Sequence, residues 1–177
     1  MKKFGIVALV LMMGVGSAFA SSISVPWFLD YAEVGAGFPP NAGITTLVYL
    51  KSNVDEQMEL AIEYFNANGE ALGAVNPNPN LDTNTFFIAP NSALAFRPVR
   101  IDPAPNTVVP WTGENGNDGG QEGAQGLLVP IRPATGTGNI YNGSITISWV
   151  GGANDIQGMV VFAGETLSYA HLLPPGN

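Results

Sequence analysis

His171 is the only histidine in the chain, and no cysteine occurs anywhere. Those two counts restrict catalysis before any fold is considered. A Ser–His–acid triad would have to be built on His171 with a serine such as Ser144, and no Gly-x-Ser-x-Gly elbow supplies one. Tetrahedral zinc needs several His or Cys ligands, which are lacking. His171 is therefore expected to be structural, near the end of a strand. Glu59 and Glu63 are the pair of carboxylates that a small glycosidase would use. On one strand at about 3.3 Å per residue their Cα atoms lie roughly 13 Å apart, wider than the retaining geometry. The expected role for both is to keep a sheet face wet, and glycoside hydrolysis is the alternative. Glu114, Asn117, Asp118 and Glu122 gather oxygen ligands in one glycine-rich stretch, the chemistry that calcium accepts. Their spacing matches neither an EF-hand loop nor a repeated Gly-Asp motif, which favours a solvated polar loop.

Arg97, Arg100 and Arg132 stand beside prolines at strand ends. A guanidinium forks onto carboxylates, so these three either pair with acids such as Asp102 inside the fold or form a pocket for an acidic ligand. Cations are so scarce here that internal pairing is the expectation. Trp27, Trp111 and Trp149, with Tyr31, Tyr141 and Tyr169, are the candidates for stacking on sugar rings. Trp149 shares a face with Ile145 and Ile147 and is assigned to the core. Trp111 adjoins the polar loop and is assigned to the surface, where it would serve a carbohydrate-binding module.

The element that must position these groups is Val54–Glu70. Met58, Leu60, Ile62 and Tyr64 alternate with Gln57, Glu59, Ala61 and Glu63, which gives one apolar and one acidic face. A period of two marks a half-buried strand. Asn66-Ala67-Asn68-Gly69 then reverses the chain. A lone hairpin is not stable in water, so the apolar face demands a second sheet. Further strands are expected at Ser24–Leu29, Ile44–Lys51, Thr83–Ala89, Ser92–Arg97, Leu127–Arg132, Ser144–Val150, Gln157–Ala163 and Thr166–Leu173. Pro26 suggests an edge position for the first of them, and Pro174–Asn177 reads as a polar tail. Roughly eight to ten short strands without a helix predict an all-β, antiparallel sandwich resembling a jelly roll.

Met1-Lys2-Lys3, an apolar run from Phe4 and the small residues Ala18 and Ala20 form the three parts of a cleavable secretory leader. The expected organisation is a signal peptide over 1–20 and one domain over 21–177, with a mobile loop at 112–126. No membrane span is expected once the leader is cut. Cleavage after Ala20 removes two lysines and leaves four cations against 14 acids, a net charge of −10. Such a chain is repelled by phosphate backbones, which argues against nucleic acid. Export to the periplasm, cell surface or medium follows, and without cysteine the fold depends on packing.

Ile44–Ala104 resembles the sandwich family of the sensory rhodopsin transducers. The resemblance lies in Val48-Tyr49-Leu50, in Glu59-Leu60-Ala61-Ile62-Glu63-Tyr64-Phe65, in the Asn68-Gly69 turn, in Phe86-Phe87-Ile88-Ala89-Pro90 and in Asp102-Pro103-Ala104-Pro105. It covers about a third of the chain and implies a small oligomeric, partner-binding protein without catalysis. That family is intracellular, so its partners do not carry over, and no binding residue transfers. Sequence thus points to an exported, non-enzymatic structural or adhesive subunit that self-associates or binds a protein partner. A carbohydrate-binding module aided by calcium is the main alternative.

Overall fold

The structure, a computed structural model, describes residues 20–31, 40, 42–74, 84–98, 129–130, 132 and 142–176. The leader before Ala20, the 112–126 loop and residues 99–128 with Arg100, Asp102 and Trp111 lie outside the described residues. Ten strands occur in chain order: β1 Ala20–Leu29, β2 Ile44–Ser52, β3 Met58–Phe65, β4 Ala71–Gly73, β5 Thr85–Ile88, β6 Ala93–Phe96, β7 Asn142–Val150, β8 Ile156–Gly164, β9 Ser168–Leu173 and β10 Pro175–Gly176. The described residues include no helix, and so none long and apolar enough to cross a membrane.

The strands form two antiparallel sheets. In the first, β10, β1, β7, β3 and β4 lie side by side, and β5 also pairs with β3; in the second the order is β6, β2, β8, β9. β3 confirms the alternation read from sequence: Met58, Leu60, Ile62 and Tyr64 are buried while Glu59 and Glu63 are exposed. These four join one apolar cluster fed by both sheets, with Ile23, Val25, Ile145 and Ile147 from the first and Val48, Leu50, Leu94 and Phe96 from the second. Each such side chain contributes roughly 1.5–3 kcal/mol when removed from water. Trp149 belongs to the same cluster, and its indole N–H donates to the Gly152 carbonyl at 3.0 Å.

Local chemistry accounts for the turns. Asn66 Oδ1 accepts from the amides of Asn68 and Glu70, and Gly69 has φ 82°, so the expected reversal after β3 is present. The strand that follows is only three residues long. Asn91 has φ 51° at the Pro90-Asn91 turn, a conformation that asparagine tolerates. That turn does not make a hairpin: β5 pairs in the first sheet and β6 in the second. Gly143 permits a close crossing, because a Cβ there would stand 2.0 Å from the Phe65 carbonyl oxygen and 3.1 Å from the Phe28 ring.

Two sequence expectations need adjustment. Pro26 sits within an irregularity between Val25 and Phe28 in the pairing of β1 with β7, and β10 reaches only to Ile23 on the other side of β1. No ladder amide is therefore asked of the proline, although β1 is flanked by two strands. The tail is also partly a strand, since Pro175 and Gly176 pair with Ile23 and Ser22.

Candidate functional site

β1 ends by leaving its sheet. Asp30 forms a bridge with Thr45 of β2, and the Tyr31 amide donates to the Ile44 carbonyl at 2.8 Å. This crossing carries a carboxylate into the interior, where the two arginines meet it. Arg132 Nη2 lies 3.0 Å from Asp30 Oδ2, and Arg97 Nη2 lies 3.5 Å from Oδ1. Arg97 Nε also donates to Thr45 Oγ1 at 2.9 Å, and Arg132 Nε donates to the Pro98 carbonyl at 3.2 Å. The Arg132 guanidinium stands 5.4 Å from the centre of the Phe28 ring, within cation–π range. Arg97 and Arg132 are 2% and 1% exposed.

Tyr64 completes this interior group by donating its hydroxyl to the Pro130 carbonyl at 2.9 Å. Burial pushes that hydroxyl well above the usual tyrosine range, an effect larger than the opposing pull of Arg132. The arrangement is a charged latch tying β1, β2 and the ends of two connecting segments. Asp30 was missed in the sequence because it opened an apparent loop; its one local signal is an acid directly after an apolar strand.

The other candidates separate widely. Glu59 and Glu63 face outward, with Glu63 opposite Thr146 and Glu59 opposite Phe87. Trp27 and Tyr31 are exposed, and Tyr31 Oη accepts from Asn142 at 3.3 Å. Among the described residues no group of three or more His, Cys, Asp or Glu side chains is placed to hold a metal. Glu114, Asn117, Asp118 and Glu122, like Trp111, Tyr141 and Arg100, lie outside the described residues.

His171 lies on β9, and this strand is the least protected part of the second sheet. All its residues from Ser168 to Leu172 are exposed, and only Leu173 is buried. Tyr169 and His171 pair with Phe162 and Val160, so they occupy the core-facing side, yet both remain open to solvent. Their rings are stacked, 6.4 Å apart and 9° from parallel, and Phe162 stands 6.2 Å from Tyr169. A cavity of about 590 Å³ opens at the end of this row, lined by Asn154, Ile156, His171, Leu173 and Pro175 among others. Sequence reading overlooked this edge; the clue was that Thr166–Leu173 contains no Asp, Glu, Lys or Arg.

Compared with family models, curated proteins and solved structures, the chain shows no match.

Proposed function

We propose that the chain is an exported, non-enzymatic β-sandwich that serves as a structural or adhesive subunit at the cell surface or in an extracellular assembly. The observation that carries this reading is β9, an edge strand with no acidic or cationic side chain other than its histidine. Soluble proteins blunt such edges with lysine, proline, bulges or covering segments, because open strands recruit other chains. β9 has no lysine, proline or bulge within Ser168–Leu173, and it displays Tyr169 and Leu172 at 55% and 74% exposure. The apolar cluster shared by both sheets supports the sandwich. Charges gathered into a latch rather than a cleft support a binding role without catalysis. The lysines and apolar run before Ala20 support export, and cleavage there would leave Ser21 as the first residue of a paired strand.

The test is expression of the full chain followed by fractionation and crosslinking on intact cells. The expected result is an exported protein whose N-terminal residue is Ser21, with crosslinked adducts that Leu172→Lys removes while export persists. An uncut chain in the cytoplasm, or an exported chain without adducts, overturns the reading.

A further inference from the structure

The geometry points to a second copy of this chain as the occupant of β9, paired antiparallel about a two-fold axis at Ala170. This inference rests on the interaction-subunit reading and names its partner.

The argument begins with the hydrogen-bond phase of β9. At the hairpin joining β8 to β9, the Gly164 amide donates to the Leu167 carbonyl at 2.8 Å, so Gly164 and Leu167 form a hydrogen-bonded pair. Bonded and non-bonded pairs alternate along an antiparallel ladder. Tyr169, His171 and Leu173 therefore bond inward to Phe162, Val160 and Gly158. Ser168, Ala170 and Leu172 turn their amides and carbonyls outward. Those three residues are spaced symmetrically around Ala170. A copy rotated about Ala170 places Ala170 opposite Ala170 and Ser168 opposite Leu172, which satisfies every outward group on both strands.

The side chains agree with this register. Tyr169 of one copy falls opposite His171 of the other in a non-bonded pair, where Cα atoms approach to about 4.5 Å. The row Phe162–Tyr169–His171 thus continues across the axis. On the core-facing side of β9, Tyr169 and His171 are exposed, and only Leu173 at the end of the strand is buried in the core, so the first two remain accessible to the neighbour. Both copies are net acidic, but β9 carries no acid. The nearest, Glu165, lies ten pair positions from its mate in this register. At about 3.4 Å per residue the two are some 30 Å apart, well beyond the Debye length of about 8 Å at physiological salt.

The chain has no cysteine, so single cysteines read the register directly. Purified Ala170→Cys is expected to form a disulfide-linked dimer on mild oxidation. Ser168→Cys alone is not, since its two thiols would sit about 13 Å apart along the ladder, outside disulfide reach. An equimolar mixture of Ser168→Cys and Leu172→Cys is expected to crosslink. By light scattering, the unsubstituted chain is expected to reach twice the monomer mass with rising concentration. Leu172→Lys should weaken that association by about tenfold or more, as a lysine guards a natural edge. Added salt should strengthen it by screening the repulsion between two acidic bodies.

Ala170→Cys that stays monomeric under oxidation, or Ser168→Cys that crosslinks equally well by itself, overturns this pairing. If adducts on intact cells persist in that case and contain a foreign chain, the broader interaction reading survives while self-pairing falls. Self-association of the purified chain that weakens with added salt also counts against this pairing, because it would mean attraction between opposite charges that the β9 register does not contain.

Discussion

At the scale of single residues, the Asp30 latch decides where stability is concentrated. Removing one member of a buried ion pair leaves its partners uncompensated and costs about 3–5 kcal/mol. Asp30→Asn is expected to lose stability in that range by denaturant unfolding, more than any exposed acid such as Glu59 or Glu63. Tyr64 makes a separate prediction on the alkaline side. In the unfolded chain its hydroxyl ionises near pH 10, whereas the folded hydroxyl stays neutral because burial raises its pKa. The unfolded state then holds fewer protons, so stability falls as pH rises past about 10, by about 1.4 kcal/mol per pH unit. Tyr64→Phe is expected to flatten that decline in urea titrations run at several alkaline pH values. It should also cost about 1–3 kcal/mol at neutral pH by orphaning the Pro130 carbonyl.

The difference between what local pattern reveals and what it hides is plain at these residues. Met58, Leu60, Ile62 and Tyr64 announce their burial within seven positions, because a strand's two faces alternate residue by residue. The partner of Arg132 lies 102 positions away at Asp30. No spacing in the sequence encodes that meeting; it exists only after β1 crosses from one sheet to the other.

At the scale of elements, the phase of β9 separates two prolines that differ by one position. Ala170 turns its amide outward, so Ala170→Pro removes no bond to β8 and is expected to keep the melting temperature close to that of the unsubstituted chain. Tyr169→Pro breaks a ladder bond to Phe162 and should lower it clearly. Equal losses from both would contradict the alternation. In β7, Gly143→Ala is expected to be severe, because nothing short of backbone movement frees a Cβ held 2.0 Å from the Phe65 carbonyl oxygen. Strand positions were mostly legible in the sequence, but strand partners were not. Pro90-Asn91 signals a change of direction without indicating whether the next strand bonds to its predecessor. Here β6 goes to the opposite sheet, while Pro174–Asn177, rich in residues that avoid ladders, supplies two residues that pair with β1.

Considering the whole molecule, most described connections cross between the layers. β1 leads to β2, β2 to β3, β5 to β6, β6 to β7, β7 to β8 and β9 to β10, each time from one sheet into the other. Neither sheet is a contiguous piece of sequence. Two fragments produced by a break within residues 99–128 would each hold strands of both sheets but complete neither. Each is expected to be largely unstructured alone and to regain the β circular-dichroism signal on mixing. Independent folding of the first fragment would count against this interleaving.

The position of β7 between β1 and β3 also imposes an order in time. Until residues 142–150 have left the ribosome, the two strands that flank them have no common neighbour to zip onto. More than four-fifths of the 177 residues have been joined by then, so the first sheet closes only near the end of translation.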